Sequence, residues 1–146
     1  MSRLSKAQVL SAMVLREPLR RYKGLHPNTI DRLVRLTKKL EPLKYKLHQK
    51  EVDIALPHAP PLGPVSPLPF HVERSASGNL PVYVRYRNSR AIKRTIIRKL
   101  SGDIDAFSKE LTKVVSNNNV NIKVGRVEVP GIHRESVNTW LLRLGL

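Results

Sequence analysis

The residues of this chain whose types and spacing can act on a ligand are its lysines and arginines. They number 27 against 11 acidic residues, which gives the 146-residue chain a formal net charge of +16. Residues 1–50 hold 13 of these cations and residues 73–99 hold eight, while residues 51–72 hold none. Each Lys or Arg placed on a phosphate releases condensed counterions, so two separate basic blocks predict binding to a polyanion. A membrane surface is the weaker candidate polyanion, and an ordinary solvated surface is the alternative.

In the second basic block the cations alternate with apolar residues. Residues 82–87 predict a strand whose apolar face includes Tyr86, residues 88–90 predict a hairpin turn, and the return strand is expected over about 93–100. A two-stranded arm this rich in guanidinium groups predicts contact with phosphates and 2′-hydroxyls. Tyr83 and Tyr86 are candidates for stacking on bases, although the alternation favours a place in the core for Tyr86. The candidate RNA-binding residues of the arm are Arg85, Arg87, Arg90, Lys93, Arg94, Arg98 and Lys99.

The first basic block is predicted to be helical. Residues 1–15 form a basic, acid-free amphipathic pattern, for which a mitochondrial import segment and an ordinary surface helix both remain open. A clearer helix is expected over 30–40, and the mixed segment 43–56 is a third candidate helix. The candidate RNA-binding residues of this block are Arg16, Arg20, Arg21, Lys23, Arg35, Lys38 and Lys39.

A proline-rich stretch separates the two blocks and predicts a division of the chain into three parts. Six prolines fall within residues 57–69, so this stretch must be extended and largely without regular hydrogen bonding. We therefore expect a basic helical extension over 1–56, a proline-rich extended linker over 57–69 and a compact α+β domain over 70–146.

The elements of the compact domain can be read from its apolar spacing. Asp103 is placed to cap a helix that buries Phe107, and a last helix buries Trp140. Between the helices, residues 120–129 predict a strand with a bulge or tight bend at Gly125. The expected order is ββαβα, a small sandwich with the helices on one face of a sheet.

The chain carries no recognisable catalytic or metal-binding pattern. It has no Cys, which excludes disulfides, thiol chemistry and Cys-based zinc sites. It also lacks a phosphate-binding glycine loop, a Gly-x-Ser-x-Gly elbow and an apolar run near the roughly 20 residues that cross a bilayer. We expect no enzymatic activity, no cofactor, no metal and no small-molecule substrate. His133 and Arg134 begin the last helix and are candidates for a phosphate contact, with a helix-start role as the alternative.

Four blocks of the compact domain resemble a known family. They are LPFHVERS (68–75), NLPVY (79–83), TIIRKLSGDI (95–104) and the WLL and LGL of the ending (140–146). In this order they resemble the mitochondrial large-subunit ribosomal protein 49 family. The resemblance implies a structural constituent of the mitochondrial large ribosomal subunit, in the matrix, with large-subunit rRNA and neighbouring mitochondrial ribosomal proteins as partners.

A second and more distant resemblance concerns residues 127–137, VEVPGIHRESV. This stretch resembles the SUI-type translation-initiation factors, which implies an SUI-like fold used on ribosomal RNA. A dissociable SUI-like mitochondrial translation factor is therefore the alternative function. A small mitochondrial DNA-packaging protein would rest on the charge alone.

Overall fold

The computed structural model describes residues 42–48, 60–115 and 119–146. Six strands and two helices lie in this described part, so the predicted α+β class is confirmed. The predicted ββαβα order was incomplete, because it lacked two three-residue strands and merged two others. The elements are β1 (Phe70–Val72), β2 (Val82–Arg87), β3 (Ile92–Arg98), β4 (Leu100–Gly102), α1 (Ile104–Val114), β5 (Asn121–Lys123), β6 (Arg126–Pro130) and α2 (Arg134–Leu144).

The strands form two antiparallel sheets. The larger has the order β2-β3-β6-β5, and the smaller pairs β1 with β4. In the larger sheet Ile97 pairs with Val82 on one side and with Val127 on the other, and all three side chains are buried. This register fixes which residues face the core, because side chains along a strand alternate between the two faces.

The core lies between one face of the larger sheet and the two helices. Phe70 from β1 meets Phe107 from α1 edge to face, with ring centroids 5.1 Å apart, and Trp140 from α2 lies 5.3 Å from Phe107. Each fully buried side chain of this size contributes about 1.5–3 kcal/mol relative to exposure. The aromatic cluster therefore holds both helices and the smaller sheet together.

Helix α1 begins as the sequence predicts. The Asp103 side chain accepts a 3.0 Å hydrogen bond from the Ala106 amide, which satisfies one of the free N–H groups of the first turn. The helix buries Phe107, Leu111 and Val114, as expected from their spacing. In α2 the predicted residue Trp140 is likewise buried.

Residues 120–130 form a hairpin where one bent strand was expected. Strands β5 and β6 are joined by a two-residue turn at Val124 and Gly125, and Lys123 pairs directly with Arg126. Gly125 has a φ of +69°, which a side chain at this position would disfavour. The shift in apolar alternation at Gly125 thus marks a reversal of the chain.

Residues 42–48 pack on the compact domain without forming a helix, so the helix considered for 43–56 is wrong over 43–48. The Tyr45 ring meets Phe70 edge to face with centroids 5.6 Å apart. The Lys44 amide donates to the buried Glu110 carboxylate at 2.9 Å, and the His48 amide donates to the Arg143 carbonyl at 2.7 Å. These tertiary contacts replace the backbone hydrogen bonds that a helix would have made. The candidate helices over 1–15 and 30–40 lie outside the described residues.

Candidate nucleic-acid interface

The face of the larger sheet turned away from the helices carries much of the charge of the compact domain. Because Val82, Ile97 and Val127 face the core, their neighbours along each strand project from the opposite side. We call this side the basic face. Its residues are Tyr83, Arg85, Arg87, Ile92, Arg94, Ile96, Arg98, Asn121, Lys123, Arg126, Glu128 and Pro130.

Six cations and one carboxylate stand on the basic face. Four of the cations, on β2 and β3, are sequence candidates, and the other two come from the β5–β6 hairpin. Arg85, Arg87 and Arg98 are exposed and make no ion pair with any described residue. Their guanidinium groups are therefore available to an anion, which each can bind through two parallel N–H groups.

Glu128 organises the centre of the basic face. It is only 4% exposed, and its Oε2 lies 3.2 Å from Arg94 Nη1 and 3.0 Å from Lys123 Nζ, while its Oε1 lies 2.9 Å from Arg126 Nε. Burial raises the pKa of this carboxyl, but hydrogen bonds from Lys123 and Arg94 and the charges of Lys123 and Arg126 together outweigh burial and hold the pKa below its usual value. Glu128 thus ties β3, β5 and β6 together as an ionised group at neutral pH.

Arginine side chains cover an apolar residue at the middle of the basic face. Ile96 lies on this face yet is 4% exposed, at the bottom of a shallow depression whose walls include Arg85, Arg87 and Arg94. Long side chains cover apolar surface with their stems while their charged ends stay in water. The surface above Ile96 is therefore charged, although an apolar residue lies beneath it.

Arg90, Lys93 and Tyr86 lie at the end of the β2–β3 hairpin and not on the basic face. Lys93 pairs with Tyr86 on the opposite face, and Arg90 belongs to the turn. Tyr86 is 49% exposed, so its expected place in the core is wrong. All residues from 85 to 93 are exposed, because this end of the hairpin extends beyond the core.

Lys99 also stands apart from the basic face. It has a φ of +53° and separates β3 from β4. Its Nζ lies 3.5 Å from Glu73 Oε1 and donates to the Arg74 carbonyl at 3.3 Å. The Lys99 side chain therefore contacts the segment that follows β1, and does not join the cations of the basic face.

Arg134, the first residue of α2, is exposed and lines a groove of about 480 Å³ beside β2. The groove also includes Tyr83, which is 48% exposed, and Asn138. The structure therefore separates Arg134 from the arginines of the basic face, with the edge strand β2 between them.

His133 is a buried structural residue. It is 4% exposed, its amide donates to Thr95 Oγ1 at 2.9 Å, and its ring Nε2 lies 3.1 Å from the Pro130 carbonyl oxygen. Burial lowers the pKa of the His133 ring, and the hydrogen bond with Pro130 offsets this only in part. These contacts favour its helix-start role over a phosphate contact.

The seven candidate residues of the first basic block lie outside the described residues. They are Arg16, Arg20, Arg21, Lys23, Arg35, Lys38 and Lys39.

Sequence reasoning missed Lys123 and Arg126 as members of the candidate interface. The signal that could have found them is Gly125, because a two-residue turn places the residues on either side of it opposite each other. Reading residues 120–129 as one strand put the two cations on a single continuous element. The hairpin instead places them side by side on adjacent strands.

Within residues 42–48, 60–115 and 119–146, no helix is long and apolar enough to cross a bilayer. In the same residues, no group of three or more His, Asp and Glu side chains is placed to hold a metal ion.

Comparison with known proteins shows what this chain is similar to. A family model described as a mitochondrial large subunit ribosomal protein (Img2) matches residues 68–146. The large ribosomal subunit protein mL49 of Schizosaccharomyces pombe is 35% identical over 78 residues, which cover 51% of this chain and 74% of that protein. The family match includes every strand and helix of the described part, and with them the basic face.

Proposed function

Because this chain belongs to the family of mitochondrial large-subunit ribosomal proteins, we propose that it is a structural constituent of that subunit which binds ribosomal RNA and neighbouring ribosomal proteins. The chain is a mitochondrial protein of the translation machinery. Its proposed mechanism is architectural. It neutralises rRNA phosphates and ties the RNA to adjacent proteins, with no catalytic step.

The basic face is the observation that carries the RNA-binding part of the proposal. Three exposed arginines that form no ion pair with any described residue, and three cations held by Glu128, present a dense positive field on one side of the sheet. Because released counterions drive such binding, each phosphate contact adds affinity that falls as salt rises. Phosphate contacts of this kind position a protein without reading the base sequence.

Exposed apolar side chains support the contacts with neighbouring proteins. Val124 at the tip of the β5–β6 hairpin is fully exposed, and Ile122 beside it is 46% exposed. Leu62 and Val65 in the proline-rich linker are about half exposed. Burial of these groups against other proteins would remove apolar surface from water, which favours association.

The predicted extension over 1–56 supplies further RNA contacts in this proposal. It holds the seven candidates from Arg16 to Lys39. Residues 42–48 pack on the compact domain and anchor the extension to it. The extension and the basic face would then act as two contact regions of one protein.

Sedimentation of the full chain tests the proposal. A mitochondrial lysate containing the tagged chain is run on sucrose gradients at moderate salt, and again after magnesium is chelated to separate the subunits. We expect the chain to follow the large subunit in both runs. A chain at the top of the gradient or with the small subunit would overturn the proposal and favour the dissociable SUI-like factor.

A further inference from the structure

We propose that the outer edge of strand β2 binds an extended segment of a neighbouring protein, which adds a strand to the larger sheet and carries alternating acidic and apolar residues. This inference rests on the proposed function and specifies how one protein partner is held. It depends on which backbone groups of β2 are free, and the strand register determines this.

Strand β2 is one of the two edge strands of the larger sheet, whose order is β2-β3-β6-β5. It has six residues, whereas the other edge strand, β5, has three. Within the described part of the chain, no segment pairs with the outer side of β2. An extended peptide can bind such an edge through main-chain hydrogen bonds, and the longer edge offers more of them.

A hydrogen bond at the start of the β2–β3 ladder shows which residues of β2 bond to β3. The Arg98 amide donates to the Pro81 carbonyl at 3.1 Å, so these two residues form a hydrogen-bonded pair. In an antiparallel ladder such pairs alternate with pairs that are not hydrogen-bonded. The register therefore directs the backbone groups of Tyr83, Arg85 and Arg87 toward β3.

A hydrogen bond on the other side of β3 supports this assignment. The Gly131 amide donates to the Lys93 carbonyl at 2.9 Å, so the Lys93 backbone bonds away from β2. Lys93 pairs with Tyr86. The backbone groups of Tyr86 therefore do not bond to β3 and point outward from the sheet.

The same alternation directs the backbone groups of Val82 and Val84 outward. The Val82 amide donates to the Leu80 carbonyl at 2.8 Å. No described backbone group bonds to the remaining outward groups, which are the amides of Val84 and Tyr86 and the carbonyls of Val82, Val84 and Tyr86. These groups are the free edge of β2.

The free edge favours a polypeptide over RNA because it contains acceptors as well as donors. Along a strand the outward groups repeat every second residue, at about 7 Å. A second extended chain supplies N–H and C=O groups with the same repeat. A phosphate can only accept hydrogen bonds, so an RNA backbone would leave the carbonyls of the free edge without partners.

The side chains of β2 indicate the composition of the added strand. Arg85 and Arg87 are exposed on the basic face, and Val84 and Tyr86 lie on the opposite face at half-buried and exposed positions. Residues on paired strands contact neighbours on the same face of the sheet. Acidic residues are therefore expected beside the arginines, and apolar residues beside Val84 and Tyr86. Residues 74–102 contain no acidic residue that could compete.

The charge of this edge also selects against other strands. Charged side chains on an edge strand normally oppose pairing with a further strand. Because Arg85 and Arg87 have the same sign, they disfavour a basic or uncharged strand and favour an acidic one. The edge is therefore protected from general aggregation while it stays open to one class of partner.

The groove of about 480 Å³ beside β2 adds to this surface. Its walls include Val82 and Tyr83 from β2 and Asn138 and Leu142 from α2. A side chain on the core-facing side of the added strand can enter this groove, since Val82 and Leu142 give it an apolar wall.

Amide hydrogen exchange of the full chain, followed by NMR, tests the inference. The probe is a nine-residue peptide of alternating glutamate and valine. In the free chain the amides of Val84 and Tyr86 should exchange fast and that of Arg85 slowly. With peptide at about ten times its Kd, exchange at Val84 and Tyr86 should slow about tenfold while Arg85 is unchanged. A peptide of the same composition with its glutamates and valines in two blocks is the matched control and should protect far less.

Substitutions test the two sources of affinity by fluorescence anisotropy of the labelled peptide. Arg85→Gln and Arg87→Gln should each weaken binding about threefold, because each removes one exposed ion pair. Val84→Pro removes an outward amide but no bond to β3, so it should weaken binding about tenfold while circular dichroism stays unchanged. Lys109→Gln is the matched control, because Lys109 is exposed on α1, and it should leave binding nearly unchanged.

Three results would overturn the inference. The first is equal protection by the two peptides, or an equal loss with Lys109→Gln. The second is protection of the Val84 and Tyr86 amides by an unstructured RNA and not by the peptide. The third concerns residues 51–54 of this chain, EVDI, which also alternate. If the two amides exchange slowly in the free chain and fast in the Glu51→Gln/Asp53→Asn variant, the chain itself covers the edge.

The sedimentation experiment separates this inference from the proposed function. If the peptide does not bind but the chain follows the large subunit, only the strand inference fails. If the chain does not follow the large subunit, the proposed function fails.

Discussion

Ile96 and Ile97 are neighbours on β3, and both are buried, but for different reasons. Ile97 is covered by elements packed on the sheet, within the cluster that contains Phe107 and Trp140. Ile96 is covered from the other side by arginines of the basic face. Burial of Ile97 therefore depends on the fold as a whole, whereas burial of Ile96 depends on a few arginine side chains at the surface. Stability should reside on the first face and RNA binding on the second.

The largest expected effect is on the core face. Trp140→Ala should lower the free energy of unfolding by about 4 kcal/mol, because it removes a large ring and leaves a cavity. That loss is comparable to the whole stability of many small domains. Urea unfolding followed by circular dichroism measures it. Arg85→Gln is the control and should change stability by no more than about 0.5 kcal/mol. Equal losses in the two variants would contradict the contrast between the faces.

Glu128 is the residue of the basic face that we expect to matter for stability. Glu128→Gln should lower the free energy of unfolding by about 2 kcal/mol at neutral pH, because a buried carboxylate loses its charge-assisted contacts with three cations. The cations are 32–45% exposed in their side chains, so solvent screening limits the loss.

The pH dependence of that difference has a defined sign. The pKa of Glu128 is lower in the folded chain than its ordinary value of 4.5. Its stabilising contribution is therefore complete above the unfolded-state pKa and is lost as the pH falls through the folded-state pKa. Urea unfolding of the unsubstituted chain and of Glu128→Gln, measured over a range of pH, should show the difference in free energy of unfolding becoming smaller below about pH 4.5. If this difference stays constant as the pH is lowered, the ionised carboxylate is not its source.

The smallest expected effects concern the hairpin tip. Asn88, Ser89 and Arg90 all have positive φ, between 49° and 72°, where glycine is favoured. Arg90→Gly should raise the free energy of unfolding by about 1 kcal/mol by relieving this strain. The lost charge should also weaken RNA binding slightly. Arg90→Gln is the matched control, since it removes the charge but leaves a side chain on a residue with positive φ. If Arg90→Gly gains no stability over Arg90→Gln, the turn is not strained.

The sequence could predict the elements that depend on local signals. Asp103 and the apolar spacing after it marked α1, and the alternation over 82–87 marked β2. The strands β1 and β4 could not be predicted in this way, because each has three residues and exists through the distant pairing of Phe70 with Gly102. For the same reason residues 43–48 were assigned to a possible helix, although Glu110 and Phe70 hold them in another conformation.

Only part of the candidate interface could be predicted from the sequence. The arginines of β2 and β3 stood out because they alternate with apolar residues in one basic block. Lys123 and Arg126 did not, since their charges join the candidate interface only when β6 pairs with β3. The role of Glu128 required the register of three strands, because its cations come from residues 94, 123 and 126.

The packing of residues 42–48 has a consequence for the timing of folding. The His48 amide bonds to the carbonyl of Arg143, and the Arg143 Nε bonds back to the His48 carbonyl at 3.1 Å, across 95 residues of chain. During synthesis from the N-terminus, His48 emerges long before its partner exists. Contacts so distant in sequence also form slowly after release. These two hydrogen bonds should therefore form only after the whole domain has been synthesised, so residues 42–48 join the folded domain late.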